Sequence, residues 1–181
     1  MDTELIRQAQ DGDKDAFAAL ATTLGARFLA TSRRILGDVD LAEDATQQAL
    51  LSIWRDLPQL RDPARFEAWS HRILVHACYA EGRRTRRWEP SLRLLPADEP
   101  AVDGLGSIAD RDQIERAFRR LPIHHRTVVV LHHYLDMTQD EVAVTLGIPP
   151  GTVASRLHYA MRSMRSALEA DARVLAQRIA R

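Results

Sequence analysis

Between Glu89 and Gly106 the chain reads EPSLRLLPADEPAVDGLG, and this stretch limits how everything around it can fold. With three prolines, two glycines and four acids it cannot bury enough apolar surface to order itself, so it predicts a linker. On both sides of it apolar residues recur at helical spacing, and nowhere do β-branched and aromatic residues alternate with period two as a half-buried strand requires. The expectation is an all-α protein of two small helical domains joined by a flexible linker: residues 1–88, a linker over 89–107, and residues 108–181. A length of 181 residues accommodates two such domains.

Local signals bound the helices. The first is expected over about Thr3 to Gln10, ended by Asp11-Gly12-Asp13, and the second over Lys14 to Leu36, ended by Gly37. Asp38 or Asp40 starts a third, whose apolar stripe is Leu41, Ala45, Ala49 and Ile53 with Leu50, Trp54 and Leu57, and Leu57-Pro58 stops it. Asp62-Pro63 opens a fourth, since Asp caps and Pro fits a first turn. On that helix Phe66, Trp69, Ile73, Ala77 and Ala80 follow core spacing, whereas Arg72, His76, Tyr79, Arg83, Arg86 and Arg87 lie along another side. Beyond the linker, helices are expected from about Ile108 to Arg120, His124 to Leu135, Gln139 to Leu146, and Thr152 to at least Ala170.

Two of these elements carry a functional signal. Thr138-Gln139-Asp140-Glu141 is a capping box, Gly147 closes the short helix behind it, and Ile148-Pro149-Pro150-Gly151 turns the chain into a long helix with Arg, Ser, His and Tyr near its start. That is a helix-turn-helix pattern, whose second helix offers donors to base edges and phosphates. A plain helical hairpin would use the same core of Val142, Leu146, Ile148, Val153 and Leu157; the polar set Thr152, Ser155, Arg156, His158, Tyr159 and Arg162 outside it favours DNA. On the fourth helix, cations mixed with aromatic faces suit a single strand, whose phosphates need charge and whose unstacked bases need planar partners. A solvated basic face at a helix C-terminus is the simpler alternative there.

Charge divides unevenly although the total, 25 basic against 25 acidic, is zero. Residues 1–87 carry 13 of each sign, residues 88–106 carry 1 basic and 4 acidic, and residues 107–181 carry 11 and 8, so the middle is acidic and the last third mildly basic. Cys78 stands alone, which leaves no disulfide or cysteine-based zinc site and reads as a small buried residue. His124, His125, His132 and His133 are expected to be surface positions and no metal site: 125 and 132 lie about 10.5 Å apart along a helix, and adjacent residues diverge. No glycine-rich phosphate loop, nucleophile elbow or metal-ligand helix motif points to an enzyme, and no cofactor is expected. An acidic start and no long apolar run predict a cytoplasmic chain with no membrane contact of its own.

Two blocks of the sequence resemble the sigma-70 family of RNA polymerase sigma factors, of the small extracytoplasmic-function (ECF) type. ELIRQAQDGDKDAFAAL, RILGDVDLAEDATQQALLSIWRDLP and RFEAWSHRILVHACYAEGRR, within residues 4–87, are similar to region 2, which grips polymerase and melts the promoter. ERAFRRLPIHHRTVVVLHHYLDMTQDEVAVTLGIPPGTVASRLHYAMRSMRSALE is similar to region 4 with its helix-turn-helix. The likeness spans about four-fifths of the chain, with the linker in the expected place.

This resemblance implies the partners and the residue roles. Core RNA polymerase would be met through its beta-prime clamp helices and beta flap, and promoter DNA at the minus-ten and minus-thirty-five elements. An anti-sigma factor would pack between the domains of the free protein. Glu43, Asp44, Gln47, Gln48, Leu51 and Trp54 correspond to the clamp-docking segment, although Leu51 and Trp54 fit a simple core equally. Gln59, Leu60, Arg61 and Arg65 would shape a pocket for a flipped minus-ten base, with Arg72, His76, Tyr79 and Arg83 beside the non-template strand; Phe66 and Trp69 are expected in the core. Thr138, Thr152, Ser155, Arg156, His158, Tyr159 and Arg162 would serve the minus-thirty-five element. Gln48 stands where relatives often have an acid, and Ala154, Tyr159 and Met161 where they commonly have Lys or Arg, which weakens the electrostatic part of each contact. The expected function is promoter-specific initiation without catalysis; the alternative is a helix-turn-helix regulator of duplex operators that is no sigma subunit.

Overall fold

A computed structural model describes residues 2–88 and 108–179, so the expected linker, 89–107, lies outside the described residues. Every element among the described residues is helical: α1 (Thr3–Gln10), α2 (Lys14–Leu36), α3 (Val39–Asp56), α4 (Phe66–Trp88), α5 (Ile108–Arg119), α6 (Ile123–Val129), α7 (Gln139–Leu146) and α8 (Pro150–Ile179). Within them, no helix is long and apolar enough to cross a membrane.

Aspartates punctuate the first block, because a side-chain oxygen ahead of a helix satisfies N–H groups that have no carbonyl a turn earlier. Asp2 accepts from Glu4 N, Asp13 from Asp15 N and Ala16 N, and Asp38 from Leu41 N, at 2.8–3.0 Å. Gly37 ends α2 at φ 70°, donating its N–H to Arg33 O at 2.8 Å. Between α3 and α4 the chain makes two 3₁₀ turns, Leu57–Gln59 and Pro63–Arg65, tied to α1 where Gln10 Nε2 donates to the carbonyls of Leu57 (3.2 Å) and Leu60 (2.7 Å).

α3 buries Ala42, Ala45, Thr46, Ala49 and Ile53, and these short side chains let α2 and α4 close on it. Ile6, Leu20, Leu24, Phe28, Ile35, Leu57, Phe66, Leu74 and Val75 complete the core. A thread of polar atoms crosses it, Thr46 and Cys78 each donating to the Ser32 hydroxyl at 3.4 Å. Cys78 is fully buried, and that burial pushes its thiol pKa up to about 11.

The core face of α4 differs from the expected one. Phe66 is buried, but the stripe continues through Ser70, His71, Leu74, Val75 and Cys78, while Trp69, Ile73 and Ala77 are half-buried and Ala80 is exposed. An apolar-only count passes over Ser70 and His71. Both can be buried because Ser70 Oγ and His71 Nδ1–H reach the Glu67 carbonyl at 3.0 and 2.8 Å.

In the second block α8 packs on α5, α6 and α7 around Ala117, Leu121, Val128, Leu131, Val142, Val153, Leu157 and Ala160. α6 begins one residue earlier than expected and widens into a π turn, Val130–Tyr134, after which Met137 N bonds Leu131 O at 3.1 Å. α8 also starts early, at Pro150, whose ring suits a first helical position. The blocks touch directly: α2 meets α6 and the π turn, and α4 meets α6 and α7.

Candidate nucleic-acid interface

Glu43, Asp44, Gln47, Gln48, Leu51 and Trp54 recur on the side of α3 opposite its alanines, and all six are exposed. Leu51 keeps 56% of its surface and Trp54 39%, with the Trp54 ring 4.6 Å from Phe17, so neither is a plain core residue. The two acids are held by arginines of the same chain: Arg33 lies 3.9 Å from Glu43 and Arg84 3.3 Å from Asp44.

A groove of about 660 Å³ between α3 and α4 links this face to the next one. Gln48 and Ser52 line it from α3, and Trp69, Arg72, Ile73 and His76 from α4. The half-buried Trp69 and Ile73 therefore wall a surface recess with one side and pack on the core with the other, the Trp69 ring 5.9 Å from that of the buried Phe66. At the α3–α4 turn, Gln59, Arg61 and Arg65 are exposed and Leu60 is half-buried; Arg65 Nε lies 3.5 Å from Asp62. His76 and Arg83 are exposed along α4.

Around Thr138 the capping box is complete: Thr138 N donates to Glu141 Oε2 at 2.7 Å and Glu141 N to Thr138 Oγ1 at 3.2 Å. The Thr138 N–H, joined by the Thr138 hydroxyl at 2.9 Å, donates to Glu141 Oε2 and lowers the pKa of that carboxyl from its ordinary value. Gly147 ends α7 in the left-handed region, φ 64°, which a Cβ would strain, and sends the chain into α8. Val153, Leu157 and Ala160 point inward, which leaves Thr152, Ser155, Arg156, Tyr159 and Arg162 as one stripe along α8, with His158 beside it. Tyr159 is 56% exposed, its ring 5.8 Å from His158. Such a stripe on the second helix of a helix-turn-helix can enter a major groove.

Sequence reasoning did not foresee how the two faces meet. Arg72 reaches the α7–α8 turn, its Nη2 2.9 Å from where a Cβ on Gly147 would stand. Tyr79 packs edge-on against His124, ring centroids 4.6 Å apart. Burial raises the Tyr79 phenol pKa, opposed by Thr127 and by the charge of Arg156 on α8. Arg126, Arg34 and Tyr134, to which no function was assigned, also join the blocks. These pairings link positions far apart in the chain and leave no periodic trace.

Comparison with known proteins bears on both blocks. Residues 20–88 match the Sigma-70 region 2 family and residues 111–164 the Sigma-70, region 4 family. The RNA polymerase sigma-H factor of Pseudomonas aeruginosa is 27% identical over 93% of this chain and 94% of its own length. The ECF RNA polymerase sigma factor SigL of Mycobacterium tuberculosis is 32% identical over 75% of this chain and 79% of its own, and SigM of the same organism 31% identical over 86% and 78%. In three dimensions the fold is similar to CnrH, solved in complex with the cytosolic domain of CnrY (TM-score 0.69, 24% identity, 94% of this chain and 98% of that one). It is also similar to the sigma factor RpoE from Bartonella quintana, solved with the anti-sigma factor NepR (TM-score 0.67, 21% identity, 86% and 98%). With regions 2 and 4 in order on a matching helical fold, the chain belongs to the ECF type of the sigma-70 family and is a promoter-specific transcription initiation factor.

Proposed function

We propose that this sigma factor divides its work between three surfaces. The α3 face of Glu43, Asp44, Gln47, Gln48, Leu51 and Trp54 docks on the clamp helices of core RNA polymerase, acids and amides meeting a basic coiled coil. Gln59, Leu60, Arg61 and Arg65 receive an extruded minus-ten base, and Arg72, His76, Tyr79 and Arg83 follow the non-template strand. On α8, Thr152, Ser155, Arg156, His158, Tyr159 and Arg162 read the minus-thirty-five element in duplex form. Thr138 acts there indirectly, since its side chain is engaged in capping α7. The observation that carries this reading is the groove shared by α3 and α4, which sets the polymerase-docking and strand-binding residues side by side on one block.

No bond is made or broken by the factor itself. Melting needs only selective affinity for unstacked bases, enough to offset about a few kcal/mol per step. The units are residues 1–88 and 108–181 with 89–107 as connector, and the site of action is the cytoplasm. An anti-sigma factor restrains the free chain, a role supported by the likeness to CnrH and RpoE, solved with CnrY and NepR. Because the two blocks touch here, a partner entering between them has to separate them first.

Arg61→Ala and His76→Ala test the division of labour. Both side chains are exposed, so folding and binding to core polymerase should stay within about twofold, while promoter opening falls roughly tenfold or more, as expected for about 1–3 kcal/mol per lost strand contact. Equal losses in binding and opening would show that these positions support the fold instead.

A further inference from the structure

Of the residues on the α3 face that meets polymerase in the reading above, only Glu43 and Asp44 carry charge, and each already faces an arginine of the same chain. The two pairs differ. Arg33 stands 3.9 Å from Glu43, whereas Arg84 of α4 spans two carboxylates: its Nη2 donates to Asp44 Oδ2 at 3.3 Å, and its Nη1 lies 3.4 Å from Glu81 Oε1 and 3.3 Å from Glu81 Oε2. A guanidinium can serve both at once because its N–H groups fan out in one plane towards separate edges. Exposure separates the two carboxylates. The Asp44 side chain keeps 51% of its surface, while that of Glu81, one turn before Arg84 on α4, keeps 9%. A docking protein therefore reaches Asp44 and not Glu81.

We propose that Arg84 is an internal competitor for Asp44 and sets how tightly the factor holds core polymerase. The inference rests on the docking reading of Asp44 given above. A basic coiled coil arriving on α3 finds no free acid at this position; it has to take Asp44 from Arg84, so docking exchanges one ion pair for another. Glu81 keeps the exchange from stranding a charge, because the guanidinium stays on the buried carboxylate when Asp44 leaves it. Arg84 also remains as a like charge beside the incoming cations, which slows their approach. The acid thus contributes little net affinity, and the exposed Leu51 and Trp54 carry most of it. Through this residue α4 acts on polymerase docking as well as on the strand.

The test uses the full chain and purified core RNA polymerase, with Kd and association rate read by fluorescence anisotropy at about 0.1 M salt and again at about 0.5 M, where screening is stronger. An exposed pair is worth up to about fivefold in an equilibrium. Arg84→Gln should therefore bind polymerase about threefold tighter at the lower salt, mostly through faster association, and no tighter at the higher. Arg84→Lys, which keeps the charge, should stay within about twofold of wild type at both. Glu81→Gln should act in the opposite sense: Arg84 is left to Asp44 alone, and docking weakens about twofold although residue 81 lies out of a partner's reach. That loss should vanish when Arg84→Gln is also present, as coupling through the arginine requires. If Arg84 served only to pack α4 on α3, its loss would weaken docking and lower Tm and could not tighten binding. Circular dichroism of each variant checks the fold, and Glu81→Gln decides the matter should Arg84→Gln unfold. A folded Arg84→Gln chain that binds no tighter, or is equally tighter at both salts, would overturn the proposal. The docking reading is judged apart, by Asp44→Asn: weaker binding there, with no gain from Arg84→Gln, would refute the competitor alone, whereas unchanged binding would remove Asp44 from the face and the competitor with it.

Discussion

Replacing Leu51 by alanine separates docking from folding. Leu51 keeps 56% of its surface exposed on the outer side of α3, whereas Ala49 and Ile53, two positions either way, are fully buried. Complete burial of a leucine side chain stabilises by about 1.5–3 kcal/mol, so the exposed share offers a partner roughly 1–1.5 kcal/mol. Alanine retains the Cβ, which leaves a loss of about 1 kcal/mol, or roughly fivefold in Kd for core polymerase. The free chain should barely notice, because substitutions at exposed positions usually stay within about 0.5 kcal/mol, worth at most about 2 °C in Tm at this size. Fluorescence anisotropy of labelled factor titrated with core enzyme, beside a thermal melt of the free variant, measures both. An unchanged Kd would remove Leu51 from the docking face, and a Tm lower by about 6 °C or more would return it to the core.

The interior gives complementary outcomes. Phe28→Ala should cost about 3–5 kcal/mol by denaturant titration, since the ring is wholly buried against His71 at 5.6 Å. Trp69→Ala, on the half-buried groove wall, should cost less, about 2 kcal/mol, and equal losses would contradict the rotated α4 face. His71 brings a pH dependence: burial, with a smaller push from the Arg27 charge, lowers its pKa below 6.5, and its buried Nε2 has no acceptor for a second proton. Below pH 6.5 the unfolded chain therefore binds more protons than the folded one, and stability should fall as pH drops through that value towards the folded pKa. Thermal melts of His71→Phe should show a flatter profile over that window; an identical slope would put the titrating group elsewhere.

What could be read in the sequence was what local chemistry determines. Asp13, Asp38, Gly37, Gly147 and the Thr138–Glu141 box mark helix ends because each acts on neighbours within a few residues, and the structure places those ends within one or two residues of expectation, whereas Asp62 caps the 3₁₀ turn Pro63–Arg65 and α4 itself begins later, at Phe66. The stripe on α8 was legible for the same reason: Val153, Leu157 and Ala160 fix which side faces inward. The core face of α4 was not: Ser70 and His71 find a local acceptor in the Glu67 carbonyl one turn back, but that this polar side of the helix is the buried one is set by how α2 and α3 pack on it. Nor could any periodicity have revealed that Arg126 would reach Leu36, 90 residues away, or Arg72 the turn at Gly147. Leu51 and Trp54 illustrate the intermediate case, where apolar character suggested the interior and helical phase put them outside.

The most direct test of the central claim is run-off transcription on genomic fragments with purified core RNA polymerase, with and without this protein. Initiation from a discrete set of start sites, seen only when the factor is added and lost when the α8 stripe and the Arg61–His76 face are substituted together, is the predicted result. Core enzyme that remains unable to start on any fragment, or that gains activity equally from a chain lacking both faces, would contradict it.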